Sequence, residues 1–273
     1  PNGAGKSTLI GVLLGLVRAR SGTITVDGEA LKAGWGGVPR SFRERVGYLP
    51  ENVAFSENLS GRQILRFFAS ARGIRRSRVE VILQRVGLKH AAGRAVRGYS
   101  RGMRQRLGLG IAILSQPDLL VLDEPTGGLD QEGLTLLWGI LNEWREAGRS
   151  VVLITHDLAL IERRADHLYI FSEGLVRAKG SPDELRRNVG LPVRVQVEFD
   201  DLQTATMWAA KLQSQTDVVH DGQTVALSVQ EGGILSVLGM INGEAEAVTH
   251  VDVRPPGLDD VYEAILGGAQ WDA

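Results

Sequence analysis

A chain of 273 residues has room for one large domain with a smaller one, or for two modest domains. With 43% hydrophobic and 23% charged residues it has an ordinary globular composition, no apolar run approaches the roughly 18 residues that span a bilayer, and no signal peptide is legible. The absence of cysteine excludes disulfides and fits a cytosolic protein. The net charge of −1 conceals two unlike parts: residues 191–273 hold three basic residues (Arg194, Lys211, Arg254) against thirteen acidic ones, a local −10, which leaves residues 1–190 at +9. Such asymmetry predicts two domains with different partners.

In chain order, Pro1–Thr8 reads as a glycine-rich loop feeding an apolar helix over Leu9–Val17. Short strands follow at Gly22–Val26, turning at Asp27-Gly28, and at Val46–Leu49, ending at Pro50. Ser60 is placed to cap a helix over Arg62–Ala71, and Ser77 starts another with Val79, Ile82, Leu83 and Val86 on one face. Helices over Arg104–Leu114 and Leu134–Ala147 alternate with buried strands at Leu119–Leu122 and Ser150–Ile154, a pattern that predicts a mainly parallel α/β sheet. Gly190-Leu191-Pro192 marks an expected domain boundary. Beyond it the order is strand (Val193–Phe199), helix (Leu202–Gln213), two strands around Asp221-Gly222, helix (Ile234–Ile241) and strand (Val248–Val253), a βαββαβ order like that of small ferredoxin-like domains. A last helix is expected over Leu258–Leu266.

Four segments carry chemistry. Asn2-Gly3-Ala4-Gly5-Lys6-Ser7-Thr8 matches a phosphate-binding loop from its second position: backbone N–H groups and a helix N-terminus meet phosphate oxygens, Lys6 reaches the β/γ-phosphates and Ser7 suits Mg²⁺. A Gly-rich turn before a buried helix is the alternative, and the weaker one even when the loop is taken alone. Leu119–Leu122 delivers Asp123 and Glu124 to a sheet edge, the first acid suited to Mg²⁺ and the second to polarising a water, although two acids there also suit capping the next helix. The strand Ser150–Ile154 ends in Thr155-His156, leaving in the same direction, so that one crevice can hold all three side chains. Tyr99-Ser100-Arg101-Gly102-Met103-Arg104-Gln105, at the mouth of a helix, makes a second anion site. Two such devices in one chain point to a nucleotide shared between two subunits. Arginines cluster at Arg72, Arg75, Arg76 and Arg78, but no aromatic interleaving supports nucleic-acid binding.

With these segments in this order, together with Tyr48-Leu49-Pro50-Glu51 and Gly128-Leu129-Asp130, residues 1–190 resemble the ABC ATPase family. The resemblance implies an α/β P-loop cassette with a helical subdomain at about 56–115, followed by a small acidic α+β, ferredoxin-like domain at 191–273. It implies ATP and Mg²⁺ as cofactors, with Ser7, Glu51 and Asp123 at the metal, and Glu124 and His156 as catalytic residues. Residues 2–8 would bind ATP in one copy, and Ser100, Gly102 and Asp130 in its homodimeric partner. It also implies an integral membrane permease as partner, no nucleic acid, and a place on the cytoplasmic face of the inner membrane. Glu51 departs from the family's usual glutamine, and Arg101 and Met103 from its usual signature residues. The chain reads as beginning partway into its phosphate loop, with the first glycine, the preceding strand and the adenine-stacking aromatic upstream. Gly47–Val53, Ser60-Gly61-Arg62, Tyr99–Leu109 and Gly190–Val195 resemble the ABC-2-type exporter branch, most closely the ATPase that matures the copper–sulfur centre of nitrous oxide reductase. A soluble ABC ATPase of translation or DNA repair fits less well, because there is one cassette and no sustained heptad run. A non-hydrolysing scaffold would not need Asp123, Glu124 and His156.

Overall fold

The computed structural model describes residues 3–26, 28–31, 38–212, 218–243 and 246–267. They form two compact units, one of Gly5–His156 and the other from Asp157 onward together with Gly3 and Ala4.

The first unit runs α1 (Lys6–Leu13), β1 (Ile24–Val26), β2 (Glu29–Leu31), α2 (Arg40–Glu44), β3 (Val46–Leu49), α3 (Gly61–Ala71), α4 (Ser77–Arg85), α5 (Arg101–Ile113), β4 (Leu119–Asp123), α6 (Gln131–Glu146) and β5 (Ser150–Ile154). Strands β1 and β2 form an antiparallel ribbon, while β3, β4 and β5 lie side by side and parallel with β4 in the middle. The register sets Leu49 beside Leu122 and Asp123 beside Ile154, so the strands end together and the residues after each emerge at one edge. Strand β4 is apolar without alternation because both of its faces are covered. Leu120 and Leu122 pack into a helical core with Leu65, Ile82, Leu107 and Ile113, while Val121 faces Ile10, Val46 and Ile154.

Ser60 caps α3 in a reciprocal box with Gln63: its hydroxyl accepts from the Gln63 N–H, and the Gln63 side chain accepts from the Ser60 N–H. Helix α5 starts at Arg101, a turn ahead of the Arg104 expected from the sequence, because Ser100 is its N-cap. Helix α6 likewise starts at Gln131, behind its cap Asp130, rather than at Leu134. The first turn is Arg101-Gly102-Met103 in α5 and Gln131-Glu132-Gly133 in α6, so a sustained apolar period begins only after each helix does. Helix α5 lies close on β3: a Cβ at Gly47 would sit 2.2 Å from the Ala112 carbonyl oxygen, and one at Gly108 2.6 Å from Leu49 Cδ1. Only glycine allows that approach.

The second unit holds α7 (Leu158–Ile161), the hairpin β6 (Leu168–Ser172) and β7 (Leu175–Gly180), α8 (Pro182–Val189), β8 (Val193–Phe199), α9 (Leu202–Leu212), β9 (Val218–Asp221), β10 (Thr224–Val229), α10 (Ile234–Asn242), β11 (Val248–Arg254) and α11 (Leu258–Leu266). The expected strand and helix order is realised in β8 to β11. Residue 213, expected as the end of α9, lies outside the described residues, as does the turn residue Asp27. The sheet has the order β11-β8-β10-β9 with every neighbour antiparallel, the arrangement of a ferredoxin-like layer. Val195, Val197, Phe199, Val225 and Leu227 line its buried face beneath Trp208, Leu212, Val237 and Ile241. The other face of β8 carries exposed Arg194, Gln196 and Glu198. A smaller core joins Ile170 and Ala178 of the hairpin to Leu185, Val261 and Ile265.

Candidate functional site

The parallel strands set the site. Past β3 comes Glu51, at the end of β4 Asp123 and Glu124, and past β5 Thr155 and His156. Asp123 is 6% exposed, and its carboxyl is held above the ordinary carboxylate range, by burial first and then by the charges of Glu51 and Glu124, with Lys6 opposing. Tyr48 responds to the same field: burial, Asp123 and Glu51 all push its phenol up. Three carboxylates crowded against one ammonium leave the edge short of positive charge. A hard divalent cation fits that deficit. Among the described residues no three His, Cys, Asp or Glu side chains converge tightly enough to hold a metal ion by themselves, so phosphate oxygens and Ser7 would have to complete the ligand set.

Glu124 is fixed from several directions. Its backbone is left-handed, with φ 47°, a conformation that costs a non-glycine residue about 1–3 kcal/mol. The Glu124 N–H donates to the Ile154 carbonyl at 2.9 Å, and the Glu124 carbonyl accepts from the Gly127 N–H at 3.2 Å and from Gln105 Nε2 at 3.2 Å. The carboxylate accepts at Oε1 from the His156 N–H at 3.0 Å and lies 2.8 Å from His156 Nδ1, while Oε2 accepts from Thr155 Oγ1 at 3.4 Å. The strained turn thus aims the carboxylate across the edge toward β5. The His156 side chain is 83% exposed, so its ring reaches outward from that anchor.

Helix α1 begins behind Gly5, whose φ of 98° turns the chain, with no side-chain cap and no acid in the first turn. The positive end of the helix dipole at this terminus favours an anion. Gly3 also has a positive φ, 79°, and Ala4 is buried, with its carbonyl accepting from the Gly174 N–H at 3.1 Å. Asn2 lies outside the described residues.

Ser100, Gly102 and Asp130 form a separate group. Ser100 Oγ accepts from the Met103 N–H at 3.2 Å, which leaves its own O–H free to donate elsewhere. Asp130 Oδ1 accepts from the Gly133 N–H at 2.8 Å. A Cβ at Gly102 would lie 2.5 Å from the Gly128 carbonyl oxygen, so the start of α5 presses directly on the segment between Glu124 and Asp130. Lys6, Glu51, Asp123, Glu124 and His156 are linked by charge or hydrogen bond, and Gln105 joins the Ser100 group to them. Reasoning from sequence placed Gln105 in the signature segment and Thr155 beside His156, but gave neither a role of its own. Each had a signal: Gln105 is an amide within a helix that is otherwise buried on that face, and Thr155 ends a buried strand.

A cassette with this sheet and a helical layer is the fold of an ABC-type ATPase, and known proteins agree. A family model described as ABC transporter matches residues 1–127. A Nod factor export ATP-binding protein of Cupriavidus metallidurans is 34% identical over 277 residues, covering 100% of this chain and 88% of its own length. A daunorubicin resistance ATP-binding protein of Streptomyces coeruleorubidus is 33% identical over 276 residues, covering 98% of this chain and 85% of its own. A solved structure, that of the ATP-binding subunit of an ABC transporter, superposes with a TM-score of 0.62 at 34% identity, covering 70% of this chain and 79% of its own. The chain belongs to the ABC transporter ATP-binding proteins. It is an ATPase subunit whose hydrolysis is coupled to transport. Among the described residues no helix is long and apolar enough to cross a membrane.

Proposed function

We propose that two copies pair so that each ATP lies between Lys6 and Ser7 of one and Ser100, Gly102 and Asp130 of the other. The observation that carries this reading is Glu124, held in a left-handed backbone with its carboxylate bracketed by Thr155 and His156 beside Asp123. In that setting Glu124 accepts the proton of the attacking water, and His156, oriented through Nδ1, places its ring against the γ-phosphate. The backbone of residues 2–8 and the Lys6 ammonium bind and orient the phosphates. Ser7 and Asp123, with Glu51 beside them, would hold Mg²⁺, which when bound neutralises phosphate charge.

The partner is an integral membrane permease, which places the subunit at the cytoplasmic face of the inner membrane. Residues 191–273 serve as an accessory domain to a cassette of residues 1–190. The names of the relatives favour an export permease. The narrower reading, maturation of the copper–sulfur centre of nitrous oxide reductase, rests on the sequence segments around Gly47–Val53, Tyr99–Leu109 and Gly190–Val195. Glu124→Gln in the full-length protein is expected to retain ATP binding and to lose hydrolysis by about 100- to 10,000-fold. Near-normal turnover in that variant would remove Glu124 from its role.

A further inference from the structure

We propose that Gln105 is a positioning residue that ties the helix bearing Ser100 to the backbone of Glu124, so that engagement of one nucleotide site sets the geometry of the other. The inference rests on the dimer reading above. One face of α5 clasps the segment from Glu124 to Asp130: Arg101 and Gly102 in its first turn, and Gln105 one turn on. The Gly102 backbone abuts the Gly128 carbonyl oxygen, and the Arg101 side chain lies so close that a Cβ at Gly128 would fall 2.7 Å from its Cγ and Cδ. Gln105 is 6% exposed and donates from Nε2 to the Glu124 carbonyl at 3.2 Å. That carbonyl also accepts from the Gly127 N–H, so both of its acceptor positions are filled.

The consequence follows from strain. A left-handed glutamate relaxes toward the ordinary region unless its surroundings over-determine it. Removing the amide donor releases one of the groups that do so and lets the Glu124 carboxylate turn away from its place beside Thr155 and His156. In the proposed dimer Ser100 and Gly102 face the partner's nucleotide while Glu124 serves its own. A shift of α5 as Ser100 takes up the partner's phosphate therefore reaches Glu124 through Gln105 within one helical turn. A merely structural amide would stabilise the fold without setting turnover.

The test compares Gln105→Leu and Gln105→Glu, which lack a donor, with Gln105→Lys, which keeps one, in the full-length protein. The first two are expected to lower kcat about 10-fold or more while KM for ATP stays within about twofold, and Gln105→Lys to recover most of the rate. The Hill coefficient for ATP should fall toward 1 in the donorless variants. If Gln105→Leu does not fold, Gln105→Glu and Gln105→Lys decide, because both are long, polar side chains and only one donates. Wild-type kcat in both donorless variants would overturn the inference, and so would a loss that Gln105→Lys fails to restore. Inactive Glu124→Gln alongside fully active Gln105 variants sinks this inference alone, whereas active Glu124→Gln sinks the function on which it rests.

Discussion

Strands β4 and β8 are both hydrogen-bonded on two sides, and they handle charge in opposite ways. Strand β4 reads Leu-Leu-Val-Leu-Asp and packs on both faces, so no ionised group is tolerated along its length and its acids come out together at its end. Strand β8 reads Val-Arg-Val-Gln-Val-Glu-Phe and is buried on one face only, so Arg194 and Glu198 lie in solvent at no electrostatic cost. Charges that alternate along a strand report exposure. Charges that accumulate where an apolar strand stops are forced into one another's company, and at this edge the result is the raised pKa of Asp123.

Each region has its own hydrophobic core, and if each also has its own function, damage to one need not reach the other. The largest expected effect on stability comes from Phe199→Ala, which empties a fully buried site packed at 5.3 Å against Trp208. It should cost about 3–5 kcal/mol, read by denaturant unfolding of the second unit. Hydrolysis measured below that unfolding transition should be unchanged. A proportionate fall in kcat would break the comparison by showing that the C-terminal sheet supports the catalytic edge.

Gly47→Ala runs the comparison the other way. The added methyl would meet the Ala112 carbonyl at 2.2 Å and Pro117 Cγ at 2.8 Å, and overpacking of that kind costs about 1–3 kcal/mol. The smaller penalty should carry the larger functional loss, because the element that must yield is α5, which bears Ser100 and Gln105. Paired measurements of Tm and kcat check this. A lowered Tm with an unaltered rate would show that α5 can shift without disturbing Glu124.

How far the sequence discloses these features depends on the range of the forces involved. Strands β3, β4 and β5 and the βαββαβ order of the second unit are legible because hydrophobic period and turn residues are local. Hairpin β6–β7 and helix α8 are not recovered from apolar pattern, because they leave most of their side chains partly or fully exposed. Their signals lie elsewhere: Glu173-Gly174, with φ of 52° and 77°, makes a primed hairpin turn, and Ser181-Pro182-Asp183-Glu184 is a complete helix start. The same division holds at the site. Lys6, Asp123, Glu124 and His156 are visible because each ends or begins an element. The Gln105 contact joins residues 19 apart in sequence through a side-chain amide and a carbonyl, and no local pattern encodes such a pair.

The smallest expected effect sets one carboxyl from each region against the other. Asp123 has a raised pKa in the folded state, so the native protein holds that proton more tightly than the unfolded chain does. Its contribution to stability is present below the ordinary carboxyl range and is lost as pH rises through the raised value. At neutral pH the charged Asp123 is therefore a cost, and Asp123→Asn, of the same shape, should raise the Tm of the nucleotide-free protein by a few degrees at most, about 4 °C. The gain should shrink on acidification, as the native carboxyl takes up its own proton, and should reverse with Mg²⁺ and ATP present, because only the wild type offers the cation a charge. Asp201 has the opposite sign: hydrogen bonds from Thr204, one of them from its N–H at 2.9 Å, hold its pKa below the ordinary range. That contribution is present at neutral pH and lost as pH falls through the lowered value, so Asp201→Asn should lower Tm at pH 7, if only slightly for so exposed a group. Thermal melts of the two variants across pH read both slopes at once. Slopes of the same sign would mean that burial and crowding at the strand end and capping at the helix start do not act on the two carboxyls in opposite directions.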